Sequence, residues 1–471
     1  MQHATQPSSP RLHELRQLLA LALPLAAAHA GNQLMAVVDT AIVGRLGAVE
    51  LGAVGLANSL FLPITVLGIG AMMGLDPLVS QALGAGDPPR ARKLLWQGVW
   101  LALAVSLVLA VPIALAPFLL VPFGIEPQVA EQARDYLWIR MVGLAPMLLF
   151  TGLRSYLQAQ GITRPMLVGV VLGNLFNVPA TWLLVFGGEA LPAWAGPLRA
   201  FPAMGVLGAG LATALGTVLQ LCVVAAAVRS VPHPALDRAH RRLDREEVRT
   251  AIRVGVPIGL QMMAEVGVFA FVGLLIGKLG STDLAAHQIA ITLASFTFTV
   301  AVGVGAAASV RVGRAVGAGD APGTRRAGVV ALLGGGAWMA LSALLFVLLP
   351  RPLASLLTDE PEVIAATVPL LFVAAVFQIS DGLQAVGAGI LRGAGDTRWP
   401  FLANVIGHYA VGLPVGIALG MGLGLGVNGL WWGLCTGLTA VAATLTFRFL
   451  RLSSRPIVPL ARRRPAELAG G

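Results

Sequence analysis

Long apolar runs alternate with short polar segments along the whole chain. Twelve runs are long enough to cross a bilayer, which takes roughly 20 helical residues. They lie near positions 15–44, 50–78, 94–121, 132–156, 165–187, 205–228, 249–277, 283–310, 327–350, 363–391, 399–419 and 427–450. Because hydrocarbon offers no water to satisfy backbone groups, each run is expected to be a helix. The pattern predicts an all-α polytopic membrane protein with twelve transmembrane helices.

Composition supports a membrane protein and argues against a nucleic-acid partner. Of the 471 residues, 56% are hydrophobic and only 11% are charged, too few charges to cover the surface of a soluble protein of this length. The net charge of +10 comes from arginines in short segments between apolar runs and not from one basic face. These arginines are expected to meet anionic membrane lipid. The two cysteines, Cys222 and Cys435, lie inside apolar runs, which excludes a disulfide framework and a cysteine-rich metal site.

The distribution of basic residues predicts the orientation of the spans. Of 32 Lys and Arg residues, 26 fall in the even-numbered turns and the two tails, and six fall on the opposite face: Arg45, Arg134, Arg140, Arg199, Lys278 and Arg351. Cytoplasmic loops carry the excess of Lys and Arg, so both termini are expected in the cytoplasm of a bacterial inner membrane. The first run imitates a signal peptide ending at 28–30, but it continues to Gly44 and is interpreted as an uncleaved span.

The two halves of the chain repeat each other. A shift of 233 residues aligns ALGAGD (82–87) with AVGAGD (315–320). Since each half has an even number of spans, both halves enter the membrane the same way, and we expect two six-helix lobes related by a pseudo-twofold axis along the membrane normal. The predicted segments are a tail (1–12), a lobe (13–228), a linker (229–249), a second lobe (250–452) and a second tail (453–471). Residues 1–10 and 453–471 are expected to be disordered.

Three carboxylates lie deep in predicted spans: Asp39, Glu265 and Asp381. A charge at the bilayer centre costs several kcal/mol, so such residues usually face a cavity or a partner. The alternative is a neutral acid hydrogen-bonded between helices. All three are acidic, so the predicted cavity attracts cations. Glu265 and Asp381, both near the midplane of different helices, are expected to share one site for a metal ion, a proton or an organic cation.

Neutral polar side chains accompany these acids. The candidates to line the substrate cavity are Gln261, Gln378, Gln384, Asn174, Asn177 and Thr213. Gln261 lies one turn before Glu265, whereas Asn174, Asn177 and Thr213 could converge on Asp39. For any one Asn or Thr taken alone, interhelical hydrogen bonding is the commoner role.

Duplication favours transport but leaves carrier and channel open. An enzyme is disfavoured because the seven histidines show no HExxH spacing and the chain has neither a G-x-S-x-G elbow nor a P-loop. No cofactor is expected beyond a coupling cation, sodium or proton. A lipid-precursor flippase is the main alternative, but a pyrophosphate site would require buried Arg or Lys.

Several motifs resemble the multidrug and toxic compound extrusion (MATE) family in its NorM-like branch. They are VVDTAIVGRLGAVELGAVGLANSL (37–60), ASVRVGRAVGAGD (308–320), FQISDGLQ (377–384) and ILRGAGDTRWP (390–400). The resemblance covers about 12 to 452. It implies two lobes around a V-shaped cavity and export of small cationic or amphipathic organic drugs, driven by entry of sodium or protons. We expect the transporter to act as a monomer.

The resemblance also assigns roles residue by residue. It implies that Asp39 with Asn177 and Thr213 forms the first-lobe site, and that Glu265 with Asp381 forms the second-lobe cation site. Some relatives have a tyrosine one turn before the second acid, where this chain has Phe377. The missing hydroxyl leaves sodium and proton coupling both open.

Overall fold

The computed structural model describes residues 10–189, 193–232 and 241–462. All the secondary-structure elements in those ranges are helical. The α-helices are α1 (Pro10–Val43), α2 (Ala48–Met73), α3 (Leu75–Gly84), α4 (Pro88–Leu115), α5 (Pro127–Met141), α6 (Leu144–Ala159), α7 (Arg164–Phe186), α8 (Gly205–Ser230), α9 (Arg245–Gly277), α10 (Ser281–Gly317), α11 (Ala321–Leu348), α12 (Pro350–Ser355), α13 (Pro361–Gly393), α14 (Arg398–Val405), α15 (Leu413–Ile417) and α16 (Gly426–Leu452). Three 3₁₀ turns (Ala116–Leu119, Ala193–Ala200 and Leu460–Arg462) and two π-helical turns (Ile406–Gly412 and Ala418–Gly422) complete the set.

The number of spans agrees with the sequence prediction. Eleven helical stretches in the described residues are long and apolar enough to cross a membrane, and α5 with α6 forms a twelfth, bent by 42°. The predicted fourth span, 132–156, is therefore not one straight helix. Gly143 lies at the break, and Pro146 lies in the first turn of α6, where its missing N–H costs no intrahelical hydrogen bond. The all-α polytopic fold is confirmed.

The chain divides into two compact units. The first unit contains Ala28–Leu75 and Pro88–Gly259, and within it α7 packs against α8, and α4 against α6. The second unit contains Asp76–Asp87, Leu260–Gly471 and the described residues up to Ala27. Within the second unit α13 is the central helix, packed against α10, α11 and α16.

The predicted lobe boundaries stay a prediction, because this division follows packing and not the two halves of the sequence. Part of the predicted linker, residues 233–240, lies outside the described residues. The part that follows begins α9 at Arg245 and is tied to α4 by ion pairs from Lys93 to Asp244 and from Arg90 to Glu247.

The sequence repeat is also a repeat of local structure. In the two GAGD loops the second glycine, Gly86 or Gly319, has a φ of 73° or 70°, the left-handed conformation that ends many helices and that glycine adopts without a steric penalty. The N–H of the following aspartate bonds back to a carbonyl five residues earlier, at 3.0 Å in the first copy and 2.9 Å in the second. Both helices therefore end in the same way.

The second tail differs from the sequence prediction. Disorder was expected from 453 onward, and this is wrong for Ser453–Arg462, which follow α16 and end in a 3₁₀ turn. Leu460 is only 3% exposed. Two prolines in this segment, Pro456 and Pro459, reduce the conformational entropy that the chain loses on folding. Burial of the apolar Leu460 side chain also stabilises the segment. Disorder was also expected at Pro10, which instead begins α1. The rest of the predicted disorder, residues 1–9 and 463–471, lies outside the described part.

Candidate cation and substrate sites

Asp39 is the centre of a polar site in the first unit. It lies on α1 and is 8% exposed. Thr181 on α7 donates a hydrogen bond of 3.1 Å to Oδ1, and Thr213 on α8 donates one of 2.8 Å to Oδ2. Hydrogen bonds to a charged acceptor are roughly twice as strong as neutral ones. The two threonines therefore bind the carboxylate to two other helices.

The Thr213 hydroxyl has two acceptors but only one proton. It lies 2.8 Å from Asp39 Oδ2 and 2.9 Å from the carbonyl oxygen of Ala209, one turn earlier on α8. An ionised carboxylate can only accept, whereas a protonated one can donate. Protonation of Asp39 would therefore let the acid donate to Thr213 Oγ1 and let Thr213 donate to Ala209.

The two predicted asparagines of α7 are placed differently. Asn177 is fully buried and lies close to the Asp39 carboxylate. Asn174 does not reach Asp39, because its Nδ2 donates to the carbonyl oxygens of Gly31 on α1, at 3.0 Å, and of Val170, at 2.9 Å. Asn174 therefore joins α7 to α1, whereas Asn177 lies close to Asp39.

Arg140 contributes a positive charge to the first unit. Its Nη1 donates to Asn58 Oδ1 at 3.3 Å and to the Tyr136 hydroxyl at 3.0 Å, and its guanidinium carbon lies 4.7 Å from the centre of the Phe61 ring. The sequence analysis counted Arg140 among the six basic residues on the face opposite the cytoplasm and did not predict these contacts.

Glu265 is the centre of a second polar site, in the second unit. Gln384 Nε2 donates to Glu265 Oε2 at 3.2 Å, and Asn404 Nδ2 donates to the same oxygen at 3.5 Å. Asp381, on α13, is 5% exposed. Gln384 lies one turn after Asp381 on α13, so its bond connects Glu265 to the helix that carries Asp381; a shared cation site stays a prediction.

Buried acceptors surround these acids. Gln384 Oε1 and Asn404 Oδ1 are buried and receive no hydrogen bond from the described residues. Hard cations prefer oxygen ligands. No group of three His, Cys, Asp or Glu side chains in the described ranges could hold a metal ion, so a cation here would need the amide oxygens as well as the two carboxylates.

The two remaining candidates, Gln378 and Gln261, are both buried. Gln378 Oε1 accepts hydrogen bonds from Thr297 on α10 and from Ser342 on α11, the latter at 2.8 Å, and so joins α13 to both helices. Gln261 is buried one turn before Glu265.

Phe377 occupies the position at which some relatives are expected to have a tyrosine. It is 1% exposed and packs on Trp431, with ring centres 5.2 Å apart. An aromatic core therefore stands where a hydroxyl ligand would otherwise be available.

Sequence reasoning missed two residues of these sites, Thr181 and Asn404. Thr181 lies one turn after Asn177 on α7, so the i, i+4 spacing could have identified it. Asn404 is a single amide inside an apolar span. Its contact with Glu265 depends on how α14 packs, which the sequence pattern does not show.

Comparison with known proteins assigns the family. A family model described as MatE matches residues 24–183 and 257–418, which together cover most of both halves. The chain belongs to the MATE family. It is accordingly a multi-pass membrane transporter of the multidrug efflux type and not an enzyme.

Relatives of nearly equal length support the same assignment. The chain is 33% identical over 452 residues to the multidrug resistance protein NorM of Aliivibrio fischeri, covering 94% of this chain and 96% of the relative. It is 37% identical over 477 residues to a probable multidrug resistance protein NorM of Mesorhizobium japonicum, covering 97% and 98%. The crystal structure of the eukaryotic MATE transporter AtDTX14 has the same fold, with a TM-score of 0.80 at 23% identity, covering 93% of this chain and 96% of that chain.

Proposed function

We propose that this MATE protein is a secondary antiporter that exports organic cations or amphipathic drugs in exchange for sodium ions or protons. The observation that carries the proposal is the acidic site of the second unit. There Gln384 and Asn404 donate to Glu265, Asp381 is buried one turn before Gln384 on α13, and both amides have a further buried oxygen atom.

The ionisation of Glu265 and Asp381 depends on whether a cation is bound to them. In a low-dielectric site they cannot both stay ionised unless a cation neutralises them. A sodium ion would be held by the Glu265 and Asp381 oxygens with the free oxygens of Gln384 and Asn404, and a proton would reside on one carboxylate. Either ion stabilises the arrangement of the unit in which the acids lie together, and a change in occupancy shifts the population of conformations.

The Asp39 site supplies the second half of the exchange. A carboxylate held by Thr181 and Thr213 can bind the cationic group of a drug or a proton, but its single charge is not sufficient for both. When Asp39 binds a proton or a cation, the Thr213 hydroxyl can donate to the carbonyl oxygen of Ala209 instead of to Asp39, which changes the hydrogen bonding of the α8 backbone. Export follows if drug and coupling ion compete for these acids on opposite sides of the membrane.

The predicted orientation completes the proposal. Both termini lie in the cytoplasm of a bacterial inner membrane, the protein acts as a monomer, and drugs leave the cell. Both sites consist mainly of acids, amides and hydroxyls, which suits a cationic substrate. A lipid-precursor flippase is the alternative, and it would need cationic side chains around a pyrophosphate group.

The test is gradient-driven dye export in everted membrane vesicles. A cationic dye such as ethidium should enter the vesicles when sodium or protons are concentrated in the lumen, each gradient being imposed separately. Glu265→Gln vesicles are the control and should show no gradient-driven uptake. Uptake that ignores both gradients, or dye movement without ion exchange, would contradict the antiport proposal.

A further inference from the structure

Gln81 joins three segments of the second unit. It lies on α3 and is 4% exposed. Its Nε2 donates to the carbonyl oxygen of Gly393 at the end of α13, at 3.0 Å, and its Oε1 accepts from the backbone N–H of Leu460, at 2.7 Å. A buried amide that uses both ends in this way fixes the segments it bonds, because losing either contact leaves a buried polar atom unpaired.

The Leu460 side chain is seated on Gly395. That glycine has a φ of 76°, and a Cβ atom there would lie 2.8 Å from Leu460 Cγ. A larger residue at 395 would be strained by its backbone conformation and would also displace the leucine. The loop after α13 is therefore shaped to receive the chain that follows α16.

The same helix α3 crosses α10 at a close contact that repeats across the two halves. A Cβ on Gly84 would overlap the carbonyl oxygen of Arg314, and a Cβ on Gly317 would overlap the carbonyl oxygen of Gln81. The 233-residue repeat pairs Gly84 with Gly317 and Gln81 with Arg314, so the crossing is symmetric.

An ion pair joins α3 to α13 as well. Arg392 Nη1 lies 3.6 Å from Asp76 Oδ2, and the aspartate side chain is only 3% exposed. The helix α3 is thus held from two sides, by backbone contact with α10 and by polar contacts with α13 and with the chain after α16.

We propose that Ser453–Arg462 form a C-terminal latch that holds α3 against α10 and α13, with Gln81 as the residue through which it acts. Movement of α3 away from α13 and from the chain after α16 must break the bonds from Gln81 to Gly393 and to Leu460, and α13 itself packs against α10. The latch therefore lowers the population of molecules in which this crossing is open. Its relevance to drug export rests on the proposed function, because an antiporter must open one end of its helix bundle in each cycle.

Opening of the crossing can be measured directly through Ser80. This residue is fully buried on α3, and Gly313 of α10 lies against it so closely that a Cβ on that glycine would be 2.8 Å from Ser80 Cβ. In a background lacking Cys222 and Cys435, the variant Ser80→Cys should react with N-ethylmaleimide only when α3 and α10 separate. The reaction rate in native membranes is the readout.

Gln97 provides a matched control. It is also fully buried, its Nε2 donates to the carbonyl oxygen of Arg242 at 2.9 Å, and its Oε1 accepts from the N–H of Asp244 at 2.8 Å. It thus makes the same two types of bond as Gln81, but in the first unit. Gln97→Ala loses equivalent interactions without removing either bond of Gln81.

Removal of the latch should increase the labelling rate of Ser80→Cys about tenfold. The increase is expected for Gln81→Ala and for truncation after Ser454, with a smaller increase for Leu460→Ala, which keeps the backbone donor. Gln97→Ala should stay within about twofold of the unmodified rate. Should Gln81→Ala fail to reach the membrane, the truncation and Leu460→Ala decide the question.

Two results would overturn the latch. One is a labelling rate within about twofold of the parent in both Gln81→Ala and the truncated chain. The other is an equal increase in Gln97→Ala, which would show general loosening. Dye export is recorded separately in the same membranes: if no ion gradient drives export by the parent, the proposed function fails, while the labelling rates still decide the latch.

Discussion

The Thr213 hydroxyl donates a 2.8 Å hydrogen bond to Oδ2 of Asp39 and lies 2.9 Å from the carbonyl oxygen of Ala209. One hydroxyl proton therefore lies between the Asp39 carboxylate and the backbone of α8. The charge of Asp39 on α1 therefore affects a hydrogen bond in the backbone of α8. A substitution that removes the Thr213 hydroxyl but keeps the size of the side chain tests this connection.

Replacement of Thr213 by valine should lower gradient-driven export about tenfold. Valine keeps the shape of threonine but cannot donate to Asp39, and a hydrogen bond to a charged group contributes about 1.5–3 kcal/mol. Thr213→Ser should keep most of the activity. Thr217→Val is the control, since the Thr217 hydroxyl bonds the Thr213 carbonyl oxygen, at 2.9 Å, and not the acid. Equal losses in both valine variants would assign the effect to packing of α8.

Replacement of Asp39 by asparagine should strongly reduce export and leave the amount of protein in the membrane unchanged. Asparagine has nearly the same size as aspartate and can still accept from Thr181, but it can neither carry a charge nor exchange a proton. Export is measured as dye uptake into everted vesicles, and expression is measured in the same preparation. Export at the wild-type rate would show that Asp39 has only a structural role.

The Asp244–Lys93 contact should weaken in acid. The hydrogen bond and charge of Lys93, 2.6 Å away, lower the pKa of Asp244 below its ordinary value. Stability from this contact is complete above the ordinary aspartate pKa, roughly 4, and is lost as pH falls through the lower folded-state value. The side chains are about a third exposed, so the contribution is at most about 1 kcal/mol.

Thermal unfolding of the purified protein checks this prediction. The difference in Tm between the wild type and Asp244→Asn should be constant from about pH 5 to about pH 8 and should shrink below about pH 4. A difference that persists unchanged in acid, or that appears only above neutral pH, would contradict the assignment to this carboxylate.

The two GAGD loops should be reached from the cytoplasm only. Ala85 and Ala318 are equivalent exposed residues, each directly before the left-handed glycine of its loop, so cysteine fits at both without backbone strain. The variants A85C and A318C should react with an impermeant maleimide in everted vesicles and not in intact cells. Labelling of either residue from outside would overturn the orientation and the parallel repeat.

The sequence was sufficient for the features that the bilayer imposes. Twelve spans follow from the length of apolar runs, and deep acids stand out because burial of a charge in hydrocarbon is costly. The GAGD loops were identifiable because glycine at a left-handed helix end is a local requirement. None of these inferences needed knowledge of which helices touch.

Features that depend on neighbours were not predictable. The hydrogen bond from Asn404 to Glu265 follows from the packing of α14, and the order of Leu460 follows from a site on Gly395 that is distant in sequence. The bend between α5 and α6 at Gly143 was not predicted either. The two helices together are apolar enough for one span, so the sequence pattern predicts a single helix there.

The central claim is that Glu265 and Asp381 form one coupled cation site. The most direct measurement is ion-gradient-driven dye export by Glu265→Gln, Asp381→Asn and the double variant, in everted vesicles with matched expression. Each single change should abolish coupled export, and the double variant should be scarcely worse than either, because both remove the same site. Partial losses that add in the double variant, or single variants that keep the wild-type response to sodium and to protons, would contradict the shared site.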